Sequence, residues 1–154
     1  MFSKFNNSLN FKLLYQVLVK LIGHENLNIF VMNHWLMKTE PNTYSWDDLV
    51  KDGQTYWDGV RNYAARNFMK EMKVGDRVLI YHSGKERQVV GIAEVTTAHY
   101  QDPSTDDDRW VAVDIKPDLK LENPVNLDQV KADERLQDTA LVKISRLSVQ
   151  PIKE

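Results

Sequence analysis

The sequence predicts one small α+β domain in which short strands are interspersed with short helices, closing as a mixed sheet or a β-barrel rather than as a parallel βαβ layout. Three observations carry this expectation. Several segments rich in Val, Ile, Tyr or Trp are bounded by Gly, Pro, Ser or Asp; residues 61–72 have a clear helical period; and no Gly-rich phosphate loop joins a strand to a helix. The length agrees, because a chain of 154 residues buries roughly two-thirds of the surface it exposes when unfolded, enough for an apolar core without staples.

Residues 1–31 stand apart. Phe2, Phe5, Phe11, Leu13, Leu14, Val17, Leu18, Leu21 and Ile22 come with Lys4, Lys12, Lys20 and one acid, Glu25, which reads as a short amphipathic helix ending near Gly23. The apolar run is too short and too broken by lysines to span a bilayer, and no small-residue cleavage site follows it. The expectation is an N-terminal extension, either a weak membrane-surface or targeting leader or a stretch ahead of a true start at Met32, with the domain proper at residues 32–154.

Residues 34–38 read as a buried strand, and Ser45 three residues ahead of Asp48 resembles a capping box opening a short helix that Gly53 ends. Over 61–72, Ala65, Phe68, Met69 and Met72 form an apolar face opposite a polar stripe of Asn62, Arg66, Lys70 and Lys73. Val74-Gly75-Asp76 is a turn. Strands are expected at 77–82, 89–96 and 110–115, with an exposed acidic loop at 101–108. Helices at 126–131 and 136–144 and a strand at 147–152 complete the chain.

Composition removes several chemistries. With no cysteine there is no disulfide, thiol nucleophile, thiolate zinc site or iron–sulfur cluster, and the four histidines show no close ligand spacing, so neither a metal nor a cofactor is expected. The formal charge of −2 hides an asymmetry: residues 61–87 carry seven bases against three acids, and residues 94–138 carry twelve acids against five bases. Any grip on a phosphate backbone must therefore be local.

Three stretches hold candidate site residues. Tyr56 to Tyr63 places aromatics, Asp58, Gly59, Arg61 and Asn62 at a loop-to-helix junction, where Trp57 offers either a face on which a base stacks or a core anchor. Trp35 to Pro41 runs from a buried strand into Lys38, Thr39 and Glu40, polar groups that line a pocket or form an exposed ion pair. In Tyr81-His82-Ser83, His82 shares a face with Val78 and Ile80 and reads as a core or pocket-wall histidine; a Ser83/His82 nucleophile is disfavoured, because neighbours on a strand point oppositely. Glu94 is expected to be half-buried beside a base. Arg66, Lys70 and Lys73 on one helix face, with Lys85 and Arg87 in a loop, form either a backbone-following surface or an ordinary solvated one.

These stretches, with Trp57-Asp58-Gly59-Val60-Arg61-Asn62-Tyr63-Ala64-Ala65-Arg66-Asn67-Phe68-Met69, Val90-Gly91-Ile92-Ala93-Glu94-Val95 and Arg146-Leu147-Ser148-Val149-Gln150-Pro151, resemble the EVE domain family from residue 33 to about residue 152. The resemblance implies a PUA-like fold, a curved β-barrel with flanking short helices, related to the YTH readers of methylated adenine. It further implies a non-enzymatic reader of a modified base in nucleic acid, above all a modified cytosine in DNA. Carried over, Trp57 is the stacking wall; Lys38, Thr39 and Asn62 read polar edges; Gly59 and Val60 bring backbone close; and Tyr81, His82 and Ser83 line the floor. In such a reader Arg61, Arg66 and Lys70 are expected to hold nearby phosphates. Thr39 departs from the family's usual serine and Ala64 from a common glutamine. Tyr100 is preferred over Trp110 as a second aromatic wall.

Two other classes stay open. The related ASCH domains include amidohydrolases, so Lys38, Glu40 and His82 could serve acid/base chemistry on a modified nucleobase or nucleoside. A protein-interaction scaffold would have a Trp57 site filled by its own side chains. The expected state is a monomer without an integral membrane segment, cytoplasmic in a bacterium, with the nucleus open to a eukaryotic protein.

Overall fold

The computed structural model describes residues 32–153; the expectations for residues 1–31 lie outside the described residues. Among the described residues, six strands form one mixed sheet: β1 (His34–Thr39), β2 (Thr55–Trp57), β3 (Arg77–His82), β4 (Gln88–Gln101), β5 (Val111–Asn126) and β6 (Val149–Ile152). Their spatial order is β2-β5-β4-β3-β1-β6, so β2 and β6 are edges and the curved sheet does not close into a complete barrel. The helices are α1 (Trp46–Asp52), α2 (Tyr63–Glu71), α3 (Leu127–Ala132) and α4 (Ala140–Lys143), with a 3-10 turn at Glu134–Leu136. Only β1 and β3 run parallel, and the connection between them carries α1, β2 and α2.

Strand parity divides the interior. Trp35 and Met37 of β1 and Val78 and Ile80 of β3 point to one face, where they meet Trp46 and Leu49 of α1 and Ala65 and Met69 of α2. Leu36 and Tyr81 point to the other, beside Val130 of α3 and Leu141 of α4. The central strands are thus covered on both faces, which is why β1 reads as a nearly unbroken apolar run. Each fully buried aliphatic side chain contributes about 1.5–3 kcal/mol.

The local signals act as expected. Ser45 and Asp48 form a reciprocal capping box at α1, and Gly53 ends that helix at φ +73°. The helix expected over 61–72 begins at Tyr63, because Asn62 is its N-cap and accepts the Ala65 N–H at 2.9 Å.

Four differences appear, three with tertiary causes and one with a local cause. β2 exists because Thr55, Tyr56 and Trp57 pair with Ile115, Asp114 and Val113; three residues, although strand-favouring, are too short a run to mark a strand alone. The strands expected at 89–96 and 110–115 extend to Gln101 and Asn126, pairing through several register shifts. Pro117 and Pro124 are tolerated there because β2 covers only the first part of β5 and leaves the rest as an edge. The single helix expected at 136–144 is broken, since Thr139 is extended and donates its hydroxyl back to the Leu136 carbonyl at 2.7 Å. The acidic loop is not wholly exposed: Asp102 is fully buried.

Candidate functional site

The junction after β2 is built from both sides. Cross-strand pairing with the buried Val113 turns Trp57 toward the larger core, where its ring is half-buried and meets Tyr44 edge-on, centroids 6.4 Å apart at 88°. Gly59 turns the chain at φ +72°, with open space where a side chain would stand. Val60 is buried and anchors the turn in the core, and Asn62 holds the start of α2 with its side-chain oxygen.

The ends of β1 and β3 lie side by side, pairing Lys38 with Tyr81 and Thr39 with His82. Parity then separates them. Thr39 and His82 belong to the face of Met37, Ile80 and Trp57, whereas Lys38 and Tyr81 belong to the reverse face beside α3 and α4. The Lys38 ammonium lies 5.8 Å from the Tyr81 ring centroid and donates to the Ser145 carbonyl at 2.9 Å, not to Glu40. Burial pulls the Lys38 pKa below the usual lysine range and pushes that of Tyr81 above the usual phenol range.

On the Trp57 face, Thr39 donates its hydroxyl to the Tyr44 carbonyl at 2.7 Å, and Tyr44 in turn supports Trp57. Ser83 donates its N–H to the Thr39 carbonyl at 2.8 Å, and its hydroxyl lies 3.3 Å from Glu40 Oε2. His82 is buried with both ring nitrogens engaged. Its Nε2 lies 3.0 Å from the Trp46 N–H, which can only donate, so Nε2 is the acceptor and Nδ1–H donates to Glu86 at 2.6 Å.

Tyr100 does not face Trp57. It pairs across from Ala112 and its hydroxyl bonds Asp114 at 2.5 Å, while Asp114 pairs with Tyr56. Tyr56, Asp114 and Tyr100 therefore share the sheet face opposite to that of Trp57 and Val113, and the aromatic partner of Trp57 is Tyr44. Sequence reasoning missed Tyr44, whose role depends on the loop after β1 folding back.

Beside the junction, Tyr63 lies on Trp110 with centroids 5.1 Å apart, and the Arg66 guanidinium lies 4.9 Å from Tyr63. Arg66 also donates to Asn67 Oδ1, at 2.7 Å from Nη2. Arg109 reaches the Tyr63 hydroxyl at 3.3 Å and pairs with Asp107. Arg61 pairs at 2.7 Å with the buried Asp102, which also accepts the Gly59 N–H at 3.0 Å. Lys70 is exposed, one turn along α2 from Arg66. Arg109 and Asp102 were not anticipated, although Asp-Pro-Ser at 102–104 is a turn signal: Asp102 Oδ1 accepts the Ser104 N–H at 2.7 Å. Glu94 is half-buried beside Arg77 at 3.3 Å and Lys116 at 3.7 Å. Among the described residues no group of three His, Asp or Glu side chains could hold a metal, and no helix is long and apolar enough to cross a membrane.

Comparison with known proteins agrees with this architecture. The EVE domain family matches residues 33–154. Thymocyte nuclear protein 1 of Danio rerio is 35% identical over 154 aligned residues, covering 78% of this chain and 67% of the relative. The solved structure of Rpa0253 from Rhodopseudomonas palustris superposes with TM-score 0.75 at 47% identity, over 79% of this chain and 85% of that one. Human THYN1, solved in complex with 5-methylcytosine-containing DNA, gives TM-score 0.73 at 31% identity, over 79% of this chain and 91% of that one.

Proposed function

The chain belongs to the EVE domain family, and on that footing we propose that residues 32–154 form a monomeric, non-enzymatic DNA-binding module that takes a modified cytosine into a pocket walled by Trp57. The observation that carries this reading is the human relative, whose solved structure contains DNA with 5-methylcytosine and whose fold runs along most of this chain. The geometry offers matching parts. The half-buried Trp57, braced edge-on by Tyr44, presents a surface for stacking, and the open space at Gly59 lets a ligand approach the backbone. Thr39 and Asn62 supply polar groups on that side, and Arg66 and Lys70 on α2 supply cations for phosphates.

Extruding a base from a duplex costs a few kcal/mol, and stacking on an aromatic ring returns about 1–3 kcal/mol per base. Hydrogen bonds to the base edge supply the remainder. Burying one methyl group adds about 0.8 kcal/mol, so the preference for methylated over plain cytosine is about fourfold from that contact alone. With a formal charge of −2, binding to unmodified DNA is weak and falls with salt. The groups that an amidohydrolase-like reaction would use are divided: Lys38 lies on the reverse face, and both nitrogens of His82 are engaged within the fold. That division favours a reader over an enzyme.

The test is titration of the full chain, beside Trp57→Ala, against short oligonucleotides carrying one cytosine, 5-methylcytosine, 5-hydroxymethylcytosine or methylated adenine at fixed salt. Modification-dependent binding that disappears in the variant is the expected outcome. Equal, weak binding to all four that is indifferent to Trp57 would overturn the reading.

A further inference from the structure

Arg61 lies where a phosphate contact is expected, yet its guanidinium is tethered within the fold while 41% of the side chain stays exposed. Nη1 donates to Asp102 Oδ2 at 2.7 Å and to the Val60 carbonyl at 3.1 Å, and Nη2 donates to the Ser104 hydroxyl at 3.1 Å. The guanidinium carbon lies 5.5 Å from the Trp110 ring centroid. Asp102, for its part, has no exposed side-chain surface. Its Oδ2 also accepts the Gly59 N–H at 3.0 Å, and its Oδ1 accepts the Ser104 N–H at 2.7 Å and hydroxyl at 2.5 Å. Its own N–H donates to the Trp110 carbonyl at 3.0 Å. One buried carboxylate thus joins the end of β4, the loop before β5 and the turn between Trp57 and α2.

Resting on the DNA-reading function above, we propose that Asp102 is a positioning residue of the site: it fixes the turn that follows Trp57 and withdraws Arg61 from the phosphates. The surface beside the pocket then adds little sequence-independent attraction, and discrimination rests on the base itself. Swinging Arg61 out to a phosphate leaves a buried carboxylate without its counter-ion, which is strongly unfavourable. The carboxylate is also ionised across the neutral range, because hydrogen bonds from Ser104, Arg61 and Gly59 outweigh the opposing effect of burial and hold its pKa at about 2.

Asp102→Asn isolates the role. An amide keeps the shape, but its NH2 must face either Gly59 and Arg61 or Ser104, and both sides present donors. The full chain, Asp102→Asn and Arg61→Gln are compared by amide hydrogen exchange, and by titration with an unmodified duplex and its 5-methylcytosine twin across a salt series. In Asp102→Asn the Gly59 amide exchanges at least about tenfold faster while amides of β1 are unmoved, as expected for a local opening. Affinity for the unmodified duplex rises, its salt dependence steepens by about one phosphate contact, and the methylcytosine preference shrinks. Arg61→Gln leaves the salt dependence of the unmodified duplex unchanged.

Unchanged Gly59 exchange together with an unchanged salt slope in Asp102→Asn overturns the proposal, as does a salt slope flattened by about one contact in Arg61→Gln. Should either single variant fail to fold, the Asp102→Asn/Arg61→Gln double variant, which leaves no buried charge unpaired, decides by its slope: a slope equal to that of the unaltered chain is expected, and one flattened by about one contact overturns the proposal. Loss of methylcytosine preference by the unaltered chain counts against the base-reading function instead, and the Gly59 exchange still decides the role of Asp102.

Discussion

Asp76 accepts the indole N–H of Trp35 at 2.8 Å across 41 residues of chain, and the same carboxylate accepts the backbone N–H groups of Lys73 at 3.0 Å and Asn33 at 3.2 Å. It ties the start of β1 to the turn between α2 and β3, and it is only 2% exposed. Asp76→Ala leaves three donors without their acceptor and is expected to lower the stability by about 3 kcal/mol or more. Trp35→Phe removes one donor and keeps most of the ring, so its cost should be smaller, about 1–2 kcal/mol. Urea unfolding of both variants checks the order.

Gly91 is where Trp46 of α1 lies against β4. A Cβ at that position would stand 2.4 Å from the indole ring, and Trp46 is 3% exposed with core on its other sides. Gly91→Ala is therefore expected to destabilise by about 1–3 kcal/mol through overpacking, although alanine is ordinarily an easy replacement within a strand. A denaturation midpoint equal to that of the unaltered chain would show that Trp46 can move aside.

Tyr100 has its pKa pushed up to about 12, first by burial, then by its hydrogen bond to Asp114 and by that carboxylate's charge. The neutral phenol is the form the fold favours. Its contribution to stability is complete below the ordinary value of 10 and is lost as pH rises from there through about 12. Asp114→Asn should bring the titration of Tyr100 down toward the ordinary range. Tyrosinate absorbance, read as the difference from Tyr100→Phe, follows it.

Local chemistry made much of the fold legible. Ser45 and Asp48 formed the expected capping box, and Ala65 and Met69 of α2, with Phe68 half-buried and Met72 at the C-cap, the expected apolar face, because those signals lie within one or two helical turns. Features that need a distant partner were not legible. β2 is a strand only through Val113, Asp114 and Ile115, and the proline-containing half of β5 only through β4. The candidate site divides in the same way. Trp57, Gly59 and Asn62 fall at one junction, as their adjacency required. Lys38 and Thr39 were grouped by motif, although neighbours on a strand point to opposite faces, and register then sends Tyr81 with Lys38. Asp102 looked like one acid among many in a polar loop, and only the fold reveals four donors around it.

The division of aromatics predicts which tyrosine serves the base. Tyr44 meets Trp57 edge-on, and its carbonyl holds the Thr39 hydroxyl, so Tyr44→Ala removes a support from the stacking wall. An aromatic pair of this kind contributes about 0.5–1.5 kcal/mol beyond area burial, so methylcytosine affinity should fall about twofold to tenfold, more if Trp57 reorients. Tyr100 lies on the opposite sheet face with Asp114, so Tyr100→Phe should leave both affinity and methylcytosine preference unchanged while abolishing the high-pH tyrosine titration. Parallel titration of the two variants with the methylated duplex separates them. A larger loss in Tyr100→Phe than in Tyr44→Ala would place the ligand on the outer face of the sheet and remove Trp57 from its wall.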